Sequence, residues 1–214
     1  MFAAAKDIVR RLPFYPSLRD GRILIAWRLA GRPAPPPHLV KQRAIRACAA
    51  RCRLPILVET GTYRGEMVAA VKDCFERVYS IELGKDLHRL AQERFAGDPR
   101  VRILQGDSGE VLRGLLPQID RPALFWLDSH YSDADTARSG LITPIRRELE
   151  HILAHPLAGR HVIFIDDARL FRGEDDYPTL AELRALLAAA EFAGFEVRDD
   201  IIRIRKRPFG GRAR

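Results

Sequence analysis

No run of apolar residues in this 214-residue chain approaches the 18 or so that a membrane-spanning helix needs. The early run ILIAW, residues 23–27, is far too short. The first residues, MFAAAKDIVRRLPF, contain no continuous apolar core of a secretory signal, so the chain is expected to be cytoplasmic. Cysteine is scarce as well: three residues, Cys48, Cys52 and Cys74, exclude a disulfide framework. Cys48 and Cys52 are spaced to share a helix face, but zinc would want two further ligands nearby, so they are read as filling that face. Glycine is missing where a dinucleotide loop would need it. In LVETGTYRG, residues 57–65, the pattern G-x-G-x-x-G counted from Gly61 requires glycine at 63 and 66, where Tyr63 and Glu66 stand, which excludes the NAD reading. Acidic residues are rare at the two ends. Lys plus Arg outnumber Asp plus Glu by 12 to 2 over residues 1–56 and by 6 to 0 over 203–214, whereas the middle holds 18 against 26. The net charge of +8 therefore belongs to the ends, and the centre is acidic.

An apolar fraction of 47% and a charged fraction of 30% are those of a globular protein. A chain this long can bury roughly 70% of the surface its unfolded form exposes. Residues 1–54 read as a basic helical N-terminal arm, two or three helices broken by GRPAPPP, whose prolines cannot continue a helix. No internal repeat is visible. From 55 to 214 short β-branched or aromatic runs alternate with helical-period segments: PILVE, RVYSIE, VRILQ, ALFWLD and HVIFID are strands with helices between them. Thr179 and Glu182 have capping-box spacing for the last helix. The closing GFEVRDDIIRIRK breaks the rhythm, because two runs joined by Asp199 and Asp200 are too close for a helical crossover and must form a hairpin. The expected fold is α/β: a Rossmann-like doubly wound seven-stranded sheet with an antiparallel last strand.

That ending, together with E-x-G-x-x-x-G at Glu59, Gly61 and Gly65, resembles the class I S-adenosylmethionine-dependent methyltransferases over about residues 55–207. Their usual third loop glycine is replaced here by Tyr63. Glycine at 61 and 65 lets backbone approach a ligand closely. Glu82, closing the second strand, is placed to accept both hydroxyls of an adenosine ribose, and Asp107 and Ser108 open the helix after the third strand. In that family this position meets the adenine amino group, an Asp or Ser there is also an ordinary N-cap, and both roles stay open. The resemblance implies that Glu59, Gly61, Thr62, Tyr63, Gly65, Glu82, Asp107, Ser108 and Asp128 contact S-adenosylmethionine.

Two further strand ends carry chemistry. Asp128 ends the fourth strand and opens a polar loop of about a dozen residues, and Asp166 and Asp167 end the fifth. Three carboxylates on neighbouring strands call for a cation, and oxygen donors suit a hard ion such as Mg2+. This arrangement resembles the macrocin-type metal-dependent O-methyltransferases, which often carry another Asp where His130 stands here. The resemblance implies Asp128, Asp166 and Asp167 as metal ligands, with Asp128 and His130 as catalytic residues. His130 is read as the base, with metal ligand and bystander as its other roles.

The expected activity is metal-assisted O-methylation of a small hydroxylated acceptor, a sugar or natural product. One rival is a nucleic-acid methyltransferase, which the basic ends would suit, although DSHY stands where amino-methylating enzymes carry Asn/Asp-Pro-Pro-aromatic. The other is a non-catalytic module docking on acidic lipid, since Phe2, Val9 and Leu12 can share a helical face opposite Lys6 and Arg10. A weak membrane-surface contact through the arm, or a homodimer contact, is the partner expected beyond the acceptor.

Overall fold

The computed structural model describes residues 15–128 and 143–207. Strand β1 (Ile56–Thr60) is buried along its whole length, as is β4 (Ala123–Leu127), because each is covered on both faces. Strand β2 (Arg77–Glu82) is nearly so. The edge strand β3 (Val101–Gln105) instead alternates, burying Val101 and Ile103 and exposing Arg102. With β5 (Val162–Ile165), β6 (Gly194–Arg198) and β7 (Ile201–Arg205) they form one seven-stranded sheet in the order β3-β2-β1-β4-β5-β7-β6. The pairs from β3 through β5 are parallel, and β7 runs antiparallel to both β5 and β6. The expected hairpin is present. Asp199 and Asp200 take φ of 54° and 60°, two consecutive left-handed residues that give the turn whose twist matches the flanking strands.

Helices cover both faces. One face buries Val58, Phe125, Leu127 and Ile163 beneath α5 (Ser108–Leu115), α6 (Ile145–Leu153) and α7 (Leu180–Ala189). The other buries Leu57, Trp126 and Phe164 beneath α2 (His38–Cys52), α3 (Glu66–Val71) and α4 (Lys85–Phe95). Helix α7 begins with the expected capping box: Glu182 N donates to Thr179 Oγ1 at 3.1 Å, and Thr179 N donates to Glu182 Oε2 at 2.7 Å. The first described helix, α1 (Tyr15–Leu29), joins through Leu24 and Trp27, which pack on Val40. No helix among the described residues is long and apolar enough to cross a membrane.

Adjacent β1 and β4 lead off to opposite sides of the sheet. Open α/β sheets present a crevice at such a reversal, outside the carboxyl ends of the strands.

Candidate active site

The loop after β1 turns at Gly61 (φ 85°), Tyr63 (φ 49°) and Gly65 (φ 70°). Gly65 also sits against α4, where an added Cβ would lie 2.6 Å from Phe95 Cε2, so glycine is needed for contact as well as conformation. The loop is fastened from below. Gly61 N and Thr62 N both donate to Ile81 O, at 3.0 and 3.2 Å. Glu59 and Thr62 are buried and meet at Ser80, whose hydroxyl donates to Glu59 Oε2 and lies 2.6 Å from Thr62 Oγ1. Burial pushes the Glu59 carboxyl up to about 8, with the charges of Asp128 and Glu82 adding to the effect.

Glu82 is held on both sides. Tyr63 N donates to Oε2 at 2.7 Å and Gly84 N to Oε1 at 2.8 Å, so loop and carboxylate form one unit. A carboxylate offers about four acceptor positions, and these bonds leave about two for hydroxyls. Close by in sequence, Thr60 Oγ1 is buried with no partner among the described residues. Asp107 caps α5, accepting from Glu110 N at 3.3 Å, and also receives Arg147 Nη2 at 3.1 and 3.2 Å. Ser108 is buried and donates to Glu148 Oε1.

Across the crevice the sheet ladder continues past the strand ends: Asp128 N donates to Thr60 O and Asp166 N to Leu127 O, both at 3.0 Å. This brings Asp128, Asp166 and Asp167 together, with one carboxylate oxygen from each within 4.8 Å of the others. Asp167 reaches its position through left-handed backbone, φ 55°. His130 and the rest of the segment 129–142 lie outside the described residues.

Three participants were not foreseen from sequence. Lys41 of α2 is bonded to Asp166 Oδ2 and stands 3.6 Å from Asp167 Oδ1. Burial alone would lower its pKa, but Asp166, Asp128 and Asp167 outweigh that and hold the ammonium above its usual range. His38, one turn earlier, is held below the usual histidine range by burial and by Lys41. Arg169 Nη1 donates to Asp167 Oδ1 at 2.6 Å and also bonds Asp200. Even so the cluster is short of positive charge: burial and Asp128 push Asp166 up to about 8 against the pull of Lys41. The sequence signal for Lys41 was slight, a lone lysine on the polar side of a helix in the arm.

No family model matches the chain, and neither does any curated protein sequence. Solved structures do. A methyltransferase from Podospora anserina bound to S-adenosylhomocysteine superposes with a TM-score of 0.56 at 14% identity, covering 95% of this chain and 94% of its own. An O-methyltransferase from Bacillus cereus in complex with S-adenosylhomocysteine gives 0.56 at 15%, covering 95% and 97%. The O-methyltransferase TomG from Streptomyces achromogenes, in complex with S-adenosylmethionine, gives 0.55 at 17%, covering 86% and 87%. The chain thus has the Rossmann-like fold of methyltransferases, with the antiparallel final strand that its sequence implied.

Proposed function

We propose that this protein is an S-adenosylmethionine-dependent methyltransferase that methylates a hydroxyl of a small acceptor with the assistance of a divalent ion. The observation that carries the proposal is the bonded unit of glycine loop and Glu82, set across the crevice from the three-carboxylate cluster. The residues fit the cofactor: the loop turns at Gly61 through left-handed backbone, Glu82 keeps acceptor positions beyond its two backbone bonds, and Thr60 has a buried hydroxyl to satisfy. They also fit a hard cation, since Asp128, Asp166 and Asp167 are all oxygen donors gathered in one place, and burial together with Asp128 holds the Asp166 carboxyl above its usual range even with Lys41 beside it, so added positive charge is favourable there. Bound here, S-adenosylmethionine would supply the methyl group and Mg2+ would acidify the acceptor hydroxyl.

The chain's own residues then have distinct tasks. Glu82 orients the ribose, and the walls around Asp166 keep water from the reacting centre, which strengthens every charge interaction there. Asp128 lies between the two subsites and serves both. His130 is assigned the removal of the hydroxyl proton. A sugar or other natural product with a free hydroxyl fits this chemistry, as does the likeness to O-methyltransferases.

Calorimetry with S-adenosylmethionine and with NAD tests the cofactor. Binding of the first alone is expected, and Glu82→Ala should weaken it by about 1–3 kcal/mol by leaving the ribose hydroxyls unpaired. Equal affinity in that variant would overturn the assignment of Glu82.

A further inference from the structure

Between α1, α2 and the β5–β7 part of the sheet lies a cavity of about 310 Å3, with Trp27 and Phe164 among its walls. Six arginines line it: Arg28, Arg32, Arg43, Arg51, Arg198 and Arg203. A single acid, Asp199, answers them, paired loosely with Arg32 at 3.9 Å and Arg198 at 3.5 Å. Among the described residues no carboxylate comes within ion-pair distance of Arg28, Arg43, Arg51 or Arg203.

Guanidinium groups repel one another and are not gathered without a reason in the folded state or in a ligand. Arg203 shows the strain most clearly. It rises from the middle of β7 over the Phe164 ring, at 5.4 Å, and its Nε is buried without a hydrogen-bond partner. Its cross-strand neighbour Glu196 acts on it only through its field, and burial still holds its pKa below the usual arginine range. Arginine remains charged under these conditions, so its buried donor stands ready for an anionic acceptor.

We propose that this cavity is a binding site for a phosphate-type dianion, held by Arg203 at its base and by Arg43 and Arg51 of α2 at its rim. Bidentate guanidinium geometry suits phosphate oxygens, and the aromatic walls suit an organic body attached to the phosphate. Two sources share that chemistry: a soluble phosphate-bearing small molecule, or the headgroup of an acidic lipid. The lipid source gains from α1, where Ile25 and Leu29 are exposed beside the arginines. The site is separate from the three-carboxylate cluster, although α2 touches both, through Lys41 on one side and Arg43 on the other.

The test uses the full chain at physiological ionic strength. Pyrophosphate is titrated calorimetrically, and flotation is run with phosphatidylcholine vesicles with and without phosphatidic acid. Saturable binding of one pyrophosphate per chain is expected, weakened about tenfold or more in Arg203→Met and in Arg43→Gln. Arg43 is exposed, so the second variant leaves the fold intact if the first does not. S-Adenosylmethionine affinity should be unchanged in both. Pyrophosphate binding without vesicle capture supports a soluble ligand, and capture dependent on phosphatidic acid and on both arginines supports a lipid. Absence of both, or binding that survives both substitutions, overturns the site.

Discussion

Lys41 is the residue whose role changes most once the chain is folded. In sequence it is one basic side chain among twelve in an arm, and in the structure it is the ammonium that enters the carboxylate cluster. A divalent ion held by Asp128, Asp166 and Asp167 would share this space with it, so the two cations repel each other in a setting where water screens little. Lys41→Met should therefore tighten Mn2+ binding, by about tenfold for each 1.4 kcal/mol of repulsion removed. The same variant should be less stable without metal, by about 3 kcal/mol or less, because Asp166 can take up a proton in place of its lost partner. Calorimetry with Mn2+ and urea midpoints on wild type and variant measure the two effects. Weaker Mn2+ binding in the variant would mean that Lys41 supports the ion and does not compete with it.

At the scale of elements, the join between α6 and β5 places His161 beneath the start of β4. Ala123 N donates to His161 Nδ1 at 3.0 Å, which fixes the other nitrogen as donor to His155 Nδ1 at 2.8 Å, and His155 Nε2 as donor to Leu116 O at 3.1 Å. The His161 ring is neutral in this relay, since a proton on its Nδ1 would face the Ala123 N–H. Burial, His155 and Arg160 lower the His161 pKa from 6.5 to about 4. The unfolded chain therefore binds more protons than the native one between those values. Stability from this group is complete above pH 6.5 and is lost as the pH falls towards 4, by about 3 kcal/mol in all. Urea midpoints across that range should show the loss, and His161→Gln should flatten it; parallel slopes would show that the ring does not carry it. The elements themselves were well marked in the sequence. The β-α alternation, the Thr179–Glu182 cap and the Asp199–Asp200 hairpin are local signals, written within a few residues, and each forms as expected. Asp166 and Asp167 were legible for the same reason, because a strand end fixes where its next residue goes. Lys41, His38 and Arg203 were not, because their meaning depends on which face of the sheet a distant helix or hairpin covers.

The whole molecule raises the question of whether the arm and the sheet are separate units, as a division at residues 54 and 55 would suggest. Helix α2 buries Ile45, Cys48 and Ala49 in the same cluster as Leu57, Trp126 and Phe164, whereas the described side chains of α1 form a small separate group, Leu24 and Trp27 on Val40. The two halves of the arm should therefore respond differently to removal. A chain beginning at residue 37 keeps α2 and its cover over the sheet. It should fold cooperatively and bind S-adenosylmethionine, and bind pyrophosphate more weakly, because Arg203, Arg43 and Arg51 remain while the cavity wall that carries Trp27, Arg28 and Arg32 is gone. A chain beginning at residue 55 uncovers Trp126 and Phe164 and loses Lys41. Removing one buried Ile-sized side chain costs about 2–5 kcal/mol, so losing Ile45 with its neighbours takes most of the 5–15 kcal/mol that a domain of this kind has to spare. That shorter chain should be largely unfolded, with no cooperative thermal transition by circular dichroism. A sharp transition in it, near the full-length midpoint, would make the arm a separable appendage. The unfolded outcome would instead make α2 a layer of the sheet domain, with Lys41 of that helix a built-in member of the carboxylate cluster.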